Sequence, residues 1–179
     1  MDRDVFKKRL EQILLLDGAT GTELQKQGLP PGESPDRWVL DHPEAMISLQ
    51  RRYFEAGSDA VLSFTFGGNR IKLGEYGMAG DVRDVNRRLV EISRKAAGAT
   101  GLVGGDISGT GRFVAPFGDL PFEEAVAIFK EQIAGIVEGG ADFLFIETMI
   151  DIQEARAALI AANRSCECAA TATSPAPIE

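Results

Sequence analysis

Four polar side chains, each directly after an apolar run, are the residues of this chain best placed to do chemistry. Asp17, Thr65, Asp106 and Glu147 each close such a run, and the last three are 41 residues apart. In a parallel α/β protein the carboxyl ends of the strands lie on one rim, where sites are built. A carboxylate there is costly to bury unless it meets a cation or hydrogen-bond donors. The pattern therefore predicts a functional site on one rim.

The first of these residues lies in the stretch Leu14–Thr22, where an apolar run ends in a carboxylate and glycines follow at once. We expect a buried strand over 13–17, with Asp17 at its carboxyl end. Gly18 and Gly21 allow a tight turn and a close approach by a ligand. The simpler alternative is a strand-to-helix turn in which Asp17 caps a local group.

Simpler explanations also exist for the two later carboxylates. Glu147 follows the apolar run Phe143–Ile146, and the alternative to a functional role is a helix cap or an ion pair between loops. Asp106 precedes a glycine-rich loop that would itself accept an Asx-type turn. Neither this loop nor Gly18–Gly21 has the spacing of a dinucleotide or P-loop site. A phosphate-binding loop is therefore not predicted.

Strands and helices alternate along the chain, which indicates a parallel sheet covered by helices. The frame Glu-x-Gly-x-Asp occurs at Glu55–Asp59 and again at Glu138–Asp142, as expected of repeated βα units. Capping patterns at Asp41 and Asp151 predict helix starts, and Gly57 predicts a helix end. The predicted strands are 13–17, 60–65, 101–107 and 142–148, and the predicted helices include a lead-in over 1–12, 82–97 and 121–138.

Composition and charge narrow the class of protein. The 179 residues carry a net charge of −8, which disfavours nucleic acid or an anionic membrane as a partner. The charged start is not followed by the apolar stretch of a signal peptide, so we expect a cytoplasmic protein. His42 is interpreted as a loop or cap residue. Cys166 and Cys168 are too close for an ordinary disulfide and too few for a zinc site of their own.

With these residues in hand, the chain resembles the homocysteine S-methyltransferase family, and within it the methionine synthase branch. The resemblance covers residues 10–163 and implies a (β/α)₈ TIM-type barrel with its site at the carboxyl ends of the strands. The matching segments, in order, are Leu16–Thr22, Gly57–Asp59, Thr65–Arg70, Gly105–Ile107 and Phe145–Thr148.

The resemblance also implies site residues and a reaction, the transfer of a methyl group to the homocysteine thiol to give methionine. Asp17 and Glu147 match the residues that hold the amino group of homocysteine, and Thr65 matches a position that helps to place its carboxylate. Gly18, next to Asp17, is the fourth substrate-binding residue that we expect. Asn69 and Asp106 are further rim candidates. A carboxylate pair suits an ammonium, and backbone N–H groups suit a carboxylate.

The family's cofactors follow from the same resemblance. Three cysteines of the full-length family hold zinc, which keeps the bound thiol as a thiolate near neutral pH, and cobalamin serves some members as methyl carrier. Cys166 and Cys168 match none of these cysteines. We therefore expect the 179 residues by themselves to be catalytically inactive or nearly so. The methyl donor stays open among methylcobalamin, betaine and S-methylmethionine.

The length and the tail depart from the family pattern. A (β/α)₈ barrel takes about 250 residues, so we expect only the first four or five βα units, within residues 1–165. Residues 166–179 form an atypical tail of small and polar residues, interpreted as a truncation or frameshift, the alternative being a weak fifth strand. An open barrel edge predicts self-association.

Two other functions remain open from the sequence. One is a non-catalytic binding or assembly module in which two half barrels pair around a shared site. The other is an unrelated α/β-barrel enzyme of pterin or aldolase type that uses Asp17, Asp106 and Glu147 differently. The absence of a well-placed lysine at a strand end disfavours this second alternative.

Overall fold

The structure is a computed structural model that describes residues 3–165 and 169–172. Its strands are Ala60–Leu62 (β1), Leu102–Ile107 (β2), Phe143–Ile146 (β3) and Ala169–Ala172 (β4). Its helices are Arg3–Arg9 (α1), Gly21–Lys26 (α2), Pro35–Asp41 (α3), Pro43–Ala56 (α4), Arg70–Gly74 (α5), Val82–Ala97 (α6), Phe122–Glu138 (α7) and Ile152–Ser165 (α8).

The strands form a parallel sheet in the order β1-β2-β3-β4, as the alternation of strands and helices predicts. The register pairs Ala60 with Leu102 and Gly104 with Phe143. Strand β2 lies close to its neighbours because it carries glycines. A Cβ on Gly105 would lie 2.2 Å from Cγ2 of Ile136 in α7, so a larger residue there requires α7 to move.

One face of the sheet packs against α6, α7 and α8 and forms the largest core. Its buried residues include Val61, Val103 and Leu144 from the strands and Ile133 and Ile136 from α7. Apolar residues at helical spacing predicted these buried faces. The predicted helix over 82–97 is confirmed at both ends, and α7 begins one residue after its predicted start. The predicted end of α4 is also confirmed, since Gly57 has a φ of 108°.

The opposite face of the sheet is covered in part by α1. Phe6 of α1 is buried and stacks on Phe143, with ring centroids 4.8 Å apart. Leu16, Leu62 and Phe145 pack against the same small cluster. The helical lead-in predicted from the sequence is therefore part of the core, and this face of the sheet leads toward the predicted site.

The predicted strand over 13–17 is wrong, because these residues run beside β1 without forming a ladder. The Leu15 carbonyl accepts from the N–H groups of Asp59 and Ala60 at 2.8 and 3.2 Å. Beyond that point side chains take over: the Leu15 N–H donates to the Asp59 carboxylate, and the Leu62 N–H donates to Asp17. Carboxylate side chains thus accept the backbone N–H groups that would donate to a neighbouring strand in a regular ladder.

Two further local predictions need correction. The capping box at Asp41 is wrong, since Asp41 is the last residue of α3 and His42 precedes α4 without a side-chain cap. Pro43 at the first helical position explains the start of α4 instead. Helices α3 and α5 were not predicted, because each is short and follows a loop rich in glycine or proline.

The tail contains a strand, since Ala169–Ala172 pairs in parallel with Phe143–Ile146. The interpretation of the tail as a truncation or frameshift stays a prediction. Cys166 and Cys168 lie outside the described residues. The division of the chain at residue 165 and the self-association stay predictions. Apolar side chains exposed on the described part include Ile13, Phe117, Ile150 and Ile152, and none of its helices has the length and apolarity needed to cross a bilayer.

A buried carboxylate ties α8 to the loop after β2, and its loss is expected to destabilise the fold. Glu154 is 2% exposed and accepts from the Thr110 N–H at 2.7 Å and the Thr110 hydroxyl at 2.6 Å. Glu154→Ala leaves those donors unpaired, so we expect urea denaturation to show a loss of about 2–4 kcal/mol. Glu55→Ala, at an exposed position of α4, is the control and should change stability by less than about 0.5 kcal/mol. Equal effects of the two substitutions would contradict this role.

Candidate functional site

The pleat of β2 and β3 brings two of the predicted carboxylates to one face of the sheet. Side chains alternate along a strand, so Phe143, Phe145 and Glu147 share a face, as do Leu102 and Asp106. Phe143 and Phe145 lie in the small cluster covered by α1. Glu147 continues the ladder just past β3, where its N–H donates to the Ile107 carbonyl at 3.0 Å. Asp106 and Glu147 therefore stand at the carboxyl end of this face.

Asp17 reaches the same place from the segment beside β1. Its Oδ1 accepts from the Leu62 N–H at 3.1 Å, which fixes the carboxylate at the end of β1. The next turn is held by the Tyr53 hydroxyl, which donates to the Ala19 carbonyl at 2.7 Å. A Cβ on Gly18 would lie 3.3 Å from that hydroxyl. The small residue predicted beside Asp17 thus lets the chain pass close to α4.

Asp17, Gly18, Asp106 and Glu147 line one cavity of about 750 Å³ at the end of the sheet. The prediction that these residues lie at one rim agrees with this arrangement. The other walls come from the start of α3, the segment after β1, and α5 with the residues that follow it. They contribute Pro35, Asp36, Phe64, Phe66, Gly67, Lys72, Glu75 and Tyr76.

The three rim carboxylates influence one another. Burial raises the pKa of Asp106 well above its usual value of 3.8, and the charges of Glu147 and Asp17 and a hydrogen bond to Glu147 raise it further. Asp106 is 7% exposed. Ionisation of this carboxyl is therefore costly unless a cation arrives, because like charges at short range repel one another in a buried site.

Burial also raises the pKa of Asp17, from 3.8 to about 6. The hydrogen bond from Leu62 opposes this rise, and the charge of Glu147 adds to it. Asp36, which also lines the cavity, behaves similarly: burial raises its pKa to about 6, while the Lys72 charge lowers it. The cavity therefore holds several buried carboxyls, and the described residues do not supply enough positive charge or hydrogen-bond donors to offset the cost of ionising them.

Two buried carboxylate oxygens in this group have no hydrogen-bond partner among the described residues, namely Oδ2 of Asp17 and Oδ1 of Asp106. Such oxygens are rare in folded proteins and indicate a missing donor. An ammonium group supplies three N–H donors and a positive charge. It therefore satisfies the orphaned oxygens and lowers the electrostatic cost of three neighbouring carboxyls.

Thr65 lies apart from the cavity. It is fully buried, its hydroxyl donates to the Asp106 carbonyl at 2.8 Å, and that hydroxyl also accepts from the Asp106 N–H at 3.1 Å. Its own carbonyl accepts from Gln132 of α7, on the helix side of the sheet. The structure thus gives Thr65 a positioning role for Asp106. Direct contact between its side chain and substrate stays a prediction.

Thr65 lies three residues beyond the end of β1, and its N–H donates to the Ser63 carbonyl at 2.7 Å. The chain therefore bends after β1, and the alternation of faces along that strand does not extend to Thr65. Strands β2 and β3 pair Gly104 with Phe143, an odd offset, so Glu147 stays on the face of Asp106.

Asn69 is explained by local structure. It is buried, its Oδ1 accepts from the N–H groups of Ile71 and Lys72 at the start of α5, and its Nδ2 donates to the Gly109 carbonyl at 3.5 Å. It does not line the cavity described above. In the structure Asn69 caps α5 and ties the loop after β1 to the loop after β2. A role at the rim stays a prediction.

Sequence reasoning missed Asp36, Phe66 and Lys72 as cavity residues. Asp36 lies in a helix that was not predicted, and Lys72 lies in α5, just beyond the loop Phe66–Arg70. The Lys72 ammonium lies over the Phe66 ring, 5.2 Å from its centroid. The sequence feature that could have indicated Lys72 is a lysine shortly after the loop that ends a predicted strand.

The described residues do not fit a zinc centre. Within residues 3–165 and 169–172, no group of three His, Cys, Asp or Glu side chains is arranged to hold a metal ion. The rim residues are carboxyls, two of which have oxygens without a hydrogen-bond donor among the described residues, whereas zinc that activates a thiol is held by cysteine or histidine. No step of the chemistry is therefore derived through zinc in this part of the chain.

Comparison with known proteins agrees with the sequence motifs. The sequence model described as homocysteine S-methyltransferase matches residues 14–177. Methionine synthase of Mycobacterium tuberculosis (strain ATCC 25618 / H37Rv) is 30% identical over 176 residues, covering 92% of this chain and 15% of that protein. Methionine synthase of Mycobacterium leprae (strain TN) is also 30% identical, with 14% of its length covered. The chain thus spans about one seventh of these relatives.

Solved structures show the same fold. The oxidised form of the homocysteine methyltransferase MmuM from Escherichia coli superposes with a TM-score of 0.78 at 23% identity, covering 90% of this chain and 62% of that one. Its metallated form gives a TM-score of 0.74 at 22% identity, with 94% and 64% covered. The parallel α/β architecture is therefore confirmed, and truncation of a full barrel stays a prediction. The chain belongs to the homocysteine S-methyltransferase family.

Proposed function

We propose that this chain is the amine-binding part of a homocysteine S-methyltransferase. In this proposal Asp17, Asp106 and Glu147 hold the α-ammonium of homocysteine at the end of the sheet. The observation that carries the proposal is the set of orphaned oxygens on Asp17 and Asp106, beside a third carboxylate, in a cavity large enough for an amino acid.

The electrostatics of the cavity support an amino-acid substrate. A cation entering the cluster lowers the pKa of Asp17 and Asp106, because it favours their charged forms. Those carboxylates then accept charge-assisted hydrogen bonds, which are stronger than neutral ones. The chain's own contribution to methyl transfer is thus to orient the substrate backbone, so that its thiol is presented at a fixed place.

The thiol itself requires activation that the described residues do not supply. A free thiol has a pKa of about 8.5 and is mostly protonated at pH 7. We therefore propose that residues 1–179 by themselves bind homocysteine without transferring a methyl group to it at enzymatic rates. Zinc and cobalamin belong to this proposal only as the family's means of activating the thiol and carrying the methyl group.

Isothermal titration calorimetry of the chain with L-homocysteine under reducing conditions tests the proposal. We expect saturable binding at pH 7.5 with one site per chain and no methionine formed from S-methylmethionine, betaine or methylcobalamin. Asp142→Asn is the control, since Asp142 pairs with Arg94 and the Val103 N–H far from the cavity. It should leave the dissociation constant within about twofold if the fold is intact.

Absence of homocysteine binding by a folded wild-type chain contradicts the proposed site. Rapid methionine formation by the isolated chain contradicts the proposal that it lacks an activator. Saturable binding of a pterin in place of homocysteine supports the unrelated-barrel alternative.

A further inference from the structure

Two fully buried glutamines contact the chain at the end of β1, Gln50 from α4 and Gln132 from α7. Gln50 donates from Nε2 to the Leu62 carbonyl at 2.9 Å, and Gln132 donates from Nε2 to the Thr65 carbonyl at 2.7 Å. Leu62 is the last residue of β1, and Thr65 follows where the chain has left the sheet. Two helices thus each hold this short segment through one polar side chain.

The amide oxygens of both glutamines are unsatisfied. Among the described residues, Oε1 of Gln50 and Oε1 of Gln132 have no hydrogen-bond partner. A buried acceptor without a partner is unfavourable, and a methionine would fill a similar space without that cost. These amides are therefore unfavourable as packing groups, and the interaction that they supply is the bond from Nε2.

The contact made by Gln50 continues to a rim carboxylate. Leu62 accepts from Gln50 through its carbonyl and donates through its N–H to Oδ1 of Asp17 at 3.1 Å. The segment that carries Asp17 forms no regular ladder with β1, so this N–H orients the carboxylate directly. A displacement of Leu62 therefore moves the donor that fixes Asp17.

The contact made by Gln132 continues to a second rim carboxylate. The Thr65 hydroxyl donates to the Asp106 carbonyl at 2.8 Å and accepts from the Asp106 N–H at 3.1 Å. A hydroxyl can donate and accept at once, so this one bonds to both backbone groups of Asp106. The Thr65 carbonyl also accepts from the Gly68 N–H at 2.9 Å, and Gln132 adds a second donor from the helix layer.

We propose that Gln50 and Gln132 are positioning residues of the amine site. Gln50 acts on Asp17 through one intervening residue, and Gln132 acts in the same way on Asp106. This inference rests on the proposed function, because it assumes that these carboxylates hold an ammonium. Carboxylates that are oriented before the substrate arrives need no ordering on binding, so each glutamine raises affinity without touching the ligand.

The side-chain amide NMR signals of the wild-type chain give the first test. We expect L-homocysteine to shift the Nε2 signals of Gln50 and Gln132, because an ammonium changes the hydrogen bonds of the carboxylates to which they are linked. Asn86 is the internal control, since its buried amide donates to the Gly68 and Val82 carbonyls at 2.7 Å each. In the described part of the chain neither of those residues bonds to a rim carboxylate. Glutamine signals that move no more than those of Asn86 at saturation overturn the proposal.

Crossed double substitutions give the second test. Gln50→Met and Gln132→Met keep a side chain of similar length and remove the donor. We expect each to weaken homocysteine binding about 3- to 10-fold, the usual effect of losing one neutral hydrogen bond. In an Asp17→Asn background Gln50→Met should change the dissociation constant by less than about twofold, whereas Gln132→Met should keep its full effect. In an Asp106→Asn background the two results should be exchanged. NMR titration measures the weaker affinities of these double variants.

The outcomes distinguish this inference from the proposed function. Unchanged binding by both methionine variants, while wild type binds, overturns the positioning role and leaves the amine site standing. Losses that persist in both aspartate backgrounds also overturn it, since they indicate a general disturbance of the fold. Asp142→Asn is the control, because it should reduce stability and leave affinity within about twofold of wild type. Failure of a folded wild-type chain to bind homocysteine overturns the proposed function and this inference together.

Discussion

Replacing Asp17 by Asn is expected to change stability and binding in opposite directions. In the free protein, ionised Asp17 is unfavourable, because burial raises its pKa from 3.8 to about 6. At pH 7.5 that difference corresponds to about 3 kcal/mol of destabilisation. An asparagine accepts the same Leu62 N–H bond without the charge. Its buried amide group still lacks a partner, so we expect a net gain of about 1–2 kcal/mol in the free energy of unfolding.

Homocysteine binding should fall at the same time. The neutral amide cannot compensate an ammonium, and losing one member of a buried charge pair costs about 2–5 kcal/mol. We therefore expect affinity to fall by about 30- to 5,000-fold. Urea denaturation and calorimetry on the same preparation measure both effects.

A carboxylate that is paired in the free protein gives the matched comparison. Asp142 accepts from Arg94 at 2.6 Å and from the Val103 N–H at 2.9 Å. Asp142→Asn should therefore reduce stability and leave binding intact, the reverse of Asp17→Asn. A loss of stability in Asp17→Asn at pH 7.5 would show that Asp17 already has a compensating partner in the free protein, and would count against an empty amine site.

The stability of the free protein should decrease as pH rises from about 4 to 7. Burial raises the pKa of both Asp17 and Asp36 to about 6, and it raises that of Asp106 as well. The folded state therefore binds these protons more tightly than the unfolded state does. Their contribution to stability is complete below pH 3.8 and is lost as pH passes through about 6, by about 3 kcal/mol each for Asp17 and Asp36 at most.

Exposed ion pairs make the protein more stable as pH rises, but they do so over a lower pH range. Pairing lowers the pKa of Glu23, Asp119 and Glu138, so these groups add stability only as pH rises through the acid range. Surface pairs of this kind contribute little. The decrease between pH 5 and 7 should therefore dominate urea denaturation profiles.

The double substitution Asp17→Asn with Asp36→Asn provides the control for this profile. It should flatten the decrease in stability between pH 5 and 7. Saturating homocysteine should also reduce the decrease for wild type, because the bound ammonium favours ionised carboxylates. A wild-type profile that rises from pH 5 to 7 is incompatible with the cluster described here.

The sequence by itself determined the order of the elements and the kind of site. The helix over 82–97 was predictable because its apolar residues recur at helical spacing. The rim position of Asp17, Asp106 and Glu147 was predictable because a carboxylate after an apolar strand must lie at a strand end. Short motifs around the same residues indicated the family, which the match over residues 14–177 shows.

Tertiary structure decided which of these side chains share a face and what surrounds them. Thr65 is absent from the cavity lining because the chain bends after β1 and its hydroxyl bonds to the Asp106 backbone, while its contact with substrate stays a prediction. The segment at Asp17 is not a strand, because side chains accept the N–H groups of Leu15 and Leu62. Lys72 joined the cavity through the packing of a short helix, which local periodicity cannot predict in five residues. Contacts between distant segments determine these features, so they require the folded chain.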